Sequence, residues 1–132
     1  MAGSKLSPQQ QRKVDDILAF QRTVDHVKTL VNELDSNRAA RAVVTNNICG
    51  SISRELSSMR QRAMTANVGT LADTAGALAI LAARSGGGIA FKIRGLLEGV
   101  NSLNMQLDQS LKQAMQADKD QVAKDQAKKN PA

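Results

Sequence analysis

The sequence predicts an all-α protein, an up-down antiparallel bundle of about four helices, one of them short and the long ones coiled-coil-like. Three observations carry this. Strands favour β-branched and aromatic residues in alternation, whereas this 132-residue chain is rich in the helix formers Ala, Leu, Gln, Lys and Arg, with two Phe and no Tyr or Trp. Its apolar residues recur at steps of three and four over long stretches, the period of one helical face. Turn and cap residues interrupt those stretches at short intervals, and short connections join antiparallel neighbours.

Met1 to Ser7 is small and polar and reads as a flexible N-terminus. Ser7-Pro8 then supplies an N-cap followed by proline at the first helical position, so the bundle domain, 8–116, begins with a helix over about 8–35. Its apolar stripe is Val14, Ile17, Leu18, Val24, Val27, Leu30, Val31 and Leu34. At ~1.5 Å per residue that helix is about 42 Å long.

Asp35-Ser36-Asn37 is a turn cluster, so a second helix is expected over 38–67, with Val44, Ile48, Ile52, Leu56, Met59 and Ala63 inward. It ends near Asn67-Val68-Gly69, where Asn or Gly takes a left-handed cap. Thr70 then caps a third helix over 70–84 whose segment Ala75 to Ala83 is apolar on every side. The glycines Gly86, Gly87 and Gly88 would cost a continuous helix roughly 3 kcal/mol, so they read as a hinge or break. The rival geometry keeps Thr70 to Gln116 as one kinked helix.

Helix four is expected over 89–116, with Ile93, Leu96, Leu97, Val100, Leu103, Leu107, Leu111 and Met115 in a heptad-like pattern. Residues 117–132 are Asp, Lys, Gln and Ala with almost nothing to bury, and read as a polar, disordered tail.

Helices one, two and four are each about 28 residues long and helix three about 15, so in an up-down bundle it covers about half of its neighbours. The distal part of helix four then needs another surface. A second copy is the simplest cover, which makes Val100, Leu103, Leu107, Leu111 and Met115 the candidate interaction residues and a homo-oligomer, first of all a dimer, the expected state. The alternative is that helices one and two close over the gap. Gly95 and Gly99 add a Gly-x-x-x-Gly spacing, which reads first as close packing inside the bundle and second as a dimer seam.

A chain of this length can bury roughly two-thirds of its unfolded surface in one core, so a single domain is expected. One cysteine, no N-terminal apolar signal region and no long apolar run point to the cytoplasm. His26 and Cys49 alone would half-ligand a zinc ion, so no metal site is expected, and no motif implies a cofactor. With two Phe there is no aromatic platform for stacking single-stranded bases.

The net charge of +6 invites a nucleic-acid reading. Most of the excess lies in Arg38 to Gly69, with five basic residues against one acidic. Arg54, Arg60 and Arg62 are the candidate phosphate contacts there. At 100° per residue, though, Arg54 points away from the apolar stripe while Arg60 and Arg62 flank it on opposite sides, so nucleic acid is not favoured. A reversible membrane-inserting hairpin around the glycine triplet is disfavoured by its alanine-rich flanks.

His26 is the only imidazole and supports an alternative phosphotransfer-like role, against a boundary histidine packing its ring edge. Cys49 borders the apolar face as a small hydrophobe. Asp15 and Asp16 diverge around the helix and cannot flank one substrate bond, and the glycine triplet lacks the Lys-Ser/Thr ending and preceding strand of a phosphate loop. No catalytic residue is proposed. The expected function is a non-catalytic protein–protein interaction module, an adaptor, regulatory or structural subunit, self-associating through helix four, with another protein as a further partner.

Overall fold

The computed structural model describes residues 6–84 and 88–129, with side chains described through Met115. The described residues fold into four helices: α1 (Pro8–Ser36), α2 (Ala42–Thr65), α3 (Gly69–Ala83) and α4 (Ile89–Lys129). The principal packings are α2 with α3, α1 with α4, α3 with α4 and α1 with α2, so the helices follow one another around the bundle.

Pairs across each seam show the direction of the chain. Between α1 and α2, Thr23 meets Arg62 and His26 meets Glu55. Between α2 and α3, Ser53 Oγ donates to the Ala79 carbonyl at 3.1 Å, and Gly76 lies against the Arg60 stem. Between α3 and α4, Thr74 pairs with Gln106, Leu78 with Gly99 and Leu81 with Gly95. In every seam one number rises as the other falls, so sequential neighbours are antiparallel. The start of α1 accordingly lies beside Ser110 and Gln113, and Arg38 beside Ala90 and Arg94.

The helix boundaries follow from local chemistry. Ser7 Oγ accepts from the Gln10 backbone N–H and Gln10 Oε1 accepts from the Ser7 N–H, a reciprocal capping box with Pro8 behind it. At the other end, the Asn37 backbone and side-chain amides both donate to the last carbonyls of α1, and Ala40 N–H turns back to the Asn37 carbonyl. That turn delays α2 to Ala42, four residues past the expected start at Arg38. α2 closes with Asn67 at φ 61°, Asn67 N–H on the Met64 carbonyl and Val68 N–H on the Ala63 carbonyl, a Schellman closure. Val68 is therefore already the N-cap of α3, and Thr70 lies inside its first turn instead of capping it.

The core runs through all four helices, from Val14 on α1 to Ala114 on α4. Three corrections concern its edges. Phe20, absent from the expected stripe, is buried, whereas Leu18 stands out; the inward positions are 17, 20, 24, 27, 31 and 34, and Leu18 is 100° away from Ile17. Val44 is exposed because it falls in the first turn of the delayed α2. α4 continues as helix through Lys129 where a disordered tail was expected from residue 117; Ala, Lys and Gln are strong helix formers, and no Gly or Pro interrupts them.

α3 and α4 are separate antiparallel helices, which removes the single kinked helix of the rival reading. Of the hinge glycines, Gly86 and Gly87 lie outside the described residues. Gly88 directly precedes α4, where its carbonyl accepts from Lys92 N–H and Lys92 Nζ reaches back to the Arg84 carbonyl at 2.7 Å.

Candidate functional site

The distal stripe of α4 is where the sequence places an association surface, and the fold uses most of it internally. Val100, Leu103 and Leu107 are buried within the chain's own core, because α1 packs along α4 and α3 lies abreast of the same stretch, with Leu78 at Gly99 and Thr74 at Gln106. They are corrected from interface to core. Leu111 is half-buried against that core, and Met115 is half-exposed. The Gly95 and Gly99 spacing is likewise an internal seam, receiving Leu81 and Leu78 of α3.

The outer face of α4 carries the apolar exposure that sequence periodicity passed over. Phe91 is 69% exposed and Met105 72%, and they stand fourteen residues apart, two heptads, with the exposed Glu98 midway on the same face. Both were off the inward stripe, so nothing in a core-seeking pattern selects them.

The helix-two arginines diverge. Arg54 donates to Ser51 Oγ on its own helix at 3.2 Å. The Arg60 stem lies along α3, where a Cβ built on Gly76 would be 2.9 Å from its Cδ. Arg62 crosses to α1, donating to Thr23 Oγ1 at 2.8 Å with its guanidinium 5.6 Å from the Phe20 ring centroid. Arg54 stays on α2 while Arg60 turns to α3 and Arg62 to α1, so the three do not form one phosphate-binding stripe.

His26 is exposed on α1, with Nε2 3.9 Å from Glu55 Oε1 of α2. That geometry is an ion pair only when the imidazole is protonated. It places a carboxylate of the neighbouring helix beside the half-exposed ring. Cys49 is a buried free thiol. Among the described residues no group of three His, Cys, Asp or Glu side chains is placed to hold a metal ion. No helix among them is long and apolar enough to cross a membrane.

Arg62 contributes instead to an open cleft of about 1120 Å³ at one end of the bundle. The first turns of α1 bring Arg12, Lys13 and Asp16 to it, the end of α2 brings Gln61 and Arg62, and the α2–α3 connection brings Asn67. Gly69 and Thr70, the first residues of α3, also line it, as does their N-cap residue Val68. Beneath lie Ile17, Phe20, Leu71 and Leu107, all almost fully buried, and the cleft presents polar and apolar surface to solvent in comparable amounts, its charged part mainly cationic. Sequence reasoning saw Arg62 but not Arg12 or Lys13 as its companions. They lie on different helices some fifty residues away, and only the antiparallel α1–α2 pairing joins them.

No family model, no curated protein and no solved structure matches the chain. The function must therefore be argued from these surfaces.

Proposed function

We propose that the chain is a non-catalytic protein–protein interaction module that self-associates as a homodimer through the outer face of α4. The observation that carries this reading is the exposure of Phe91 and Met105 on one face of a helix whose opposite face packs into the core from Ile93 to Leu107. Burying each is worth roughly 1.5–3 kcal/mol, and a single chain leaves that unrealised. Their placement suits an isologous contact. If two α4 helices pair antiparallel about Glu98, Phe91 of one copy stands opposite Met105 of the other, a thioether-on-ring contact repeated by symmetry. The same register sets Arg94 within one turn of Glu98 of the second copy, which offsets the approach of the two glutamates on the axis.

Light scattering behind size exclusion, run at low and moderate salt, tests the reading. The wild-type chain is expected at twice its monomer mass, and Phe91→Ser/Met105→Ser at monomer mass with unchanged helicity. A wild-type monomer at the highest attainable concentration would overturn it. The arginine divergence gives nucleic acid no comparable support, and His26 with Glu55 alone supplies no phosphoryl donor site.

A further inference from the structure

We propose that the end cleft between the first turns of α1 and the α2–α3 connection binds a small anion carrying two or three linked phosphates. The cleft gathers three cationic side chains, Arg12, Lys13 and Arg62, against one carboxylate, Asp16. None of the three has a carboxylate within 4.0 Å among the described residues, where carboxylates come that close to a basic side chain at Arg38–Asp35 and at the imidazole of His26 beside Glu55. Three cations against one carboxylate leave the cleft with an excess of positive charge, and a polyanion placed among them offsets it.

Arg62 is the pre-set member. Its bond to Thr23 Oγ1 and its position over the Phe20 ring fix the guanidinium with one N–H committed, while the planar fork has five donors in all. An arginine ordered before binding loses less side-chain freedom when it takes a phosphate oxygen. Arg12 and Lys13 approach from α1, so the positive charge comes from two helices. Cations drawn from two helices around an open cleft suit an anion with several charged groups better than one with a single group.

The cleft presents polar and apolar surface in comparable amounts, so its cationic side chains suit the phosphates and its apolar part suits a nucleoside attached to them. Gln61 and Asn67 add amide donors. A volume of about 1120 Å³ has room for a triphosphate with or without an attached nucleoside. This inference is independent of dimerisation, since the cleft lies at the end of the bundle where distal α4 meets the start of α1.

Calorimetric titration of the full chain with sodium tripolyphosphate, with adenosine triphosphate and with sodium sulfate, all at matched ionic strength, tests it. Saturable binding of both triphosphates at one site per chain is expected, with sulfate at least about tenfold weaker because it spans fewer cations. Equal affinity for the two triphosphates assigns the site to the phosphate chain alone, and tighter binding of the nucleotide extends it to the nucleoside. Arg12→Gln/Lys13→Gln, at two exposed positions, is expected to weaken binding about tenfold or more with an unchanged thermal melt. Arg54→Gln, which lies outside the cleft, is expected to bind as the wild type does. Absence of saturable binding, or an equal loss in Arg54→Gln, would overturn the proposal, the latter by showing attraction to net charge alone.

Discussion

Gly99 of α4 sits directly beneath Leu78 of α3, so close that a Cβ built on the glycine would overlap both Leu78 methyl groups. One turn earlier on α4 the same relation recurs more loosely, with a Cβ on Gly95 standing 2.7 Å from Leu81 Cδ2. The glycines therefore act as sockets for two leucines of the shortest helix. α3 presents a side chain to a backbone, which draws the two helices together without any polar tie at that level.

The socket predicts a sign reversal. Gly99→Ala should gain about 1 kcal/mol in helix propensity but lose about 1–3 kcal/mol to overpacking, for a net destabilisation. In a Leu78→Ala background the overlap is gone, so the same change should become neutral or stabilising. Urea denaturation of the four proteins of this cycle reads the coupling. An equal effect of Gly99→Ala in both backgrounds would mean that α3 and α4 do not meet there.

Asn67 makes a second prediction, because it is the non-glycine residue at positive φ among the described residues, 61°. Asn67→Ala should cost about 1 kcal/mol or more through left-handed strain, whereas Asn67→Gly should be neutral or stabilising. Melting temperatures of the two variants check this, and a stable Asn67→Ala would contradict the Schellman closure of α2.

That closure also shows which features local sequence could reveal. Ser7-Pro8 and Asn67-Val68-Gly69 announce the ends of helices because capping chemistry is local, and the all-α class follows from periodicity and composition. The start of α2 was misplaced because Arg38 has no capping chemistry to set against the turn that Asn37 makes through its own side chain. The role of distal α4 was misread for a different reason. Helix lengths say that α3 is short, but they do not say where along α4 it sits or that α1 lies along α4, and those packings decide that Leu103 and Leu107 are core. The cleft was illegible for the same reason, since Arg12 and Arg62 share no motif and meet only in the tertiary fold.

Between α3 and α4, Gln106 Nε2 donates to Thr74 Oγ1 at 2.9 Å and to Ser102 Oγ at 3.3 Å, while its Oε1 is buried without a partner among the described residues. An unmet buried acceptor costs about 1–3 kcal/mol, comparable to or greater than the net worth of the bonds its amide makes. Gln106→Leu is therefore expected to hold or raise the melting temperature. A loss of more than about 1 kcal/mol would show that the Thr74–Gln106–Ser102 bonds outweigh the orphan oxygen.

The last prediction separates what distal α4 buries in its own chain from what it offers to another. Leu107 is almost fully buried against the core, so Leu107→Ala should cost about 2–5 kcal/mol through lost transfer energy and the cavity left behind. Met115, two turns further along, is 50% exposed, so Met115→Ala should fall within about 0.5 kcal/mol of wild type. If Leu107 is covered by α1 of the same chain, its penalty should persist unchanged in the Phe91→Ser/Met105→Ser background. If a second copy covers it, the penalty should shrink once dimerisation is removed and should vary with protein concentration. Denaturation at two protein concentrations distinguishes these outcomes, and an undiminished cost in the monomeric background would assign Leu103 and Leu107 to the bundle interior and leave the outer face as the surface of α4 available for association.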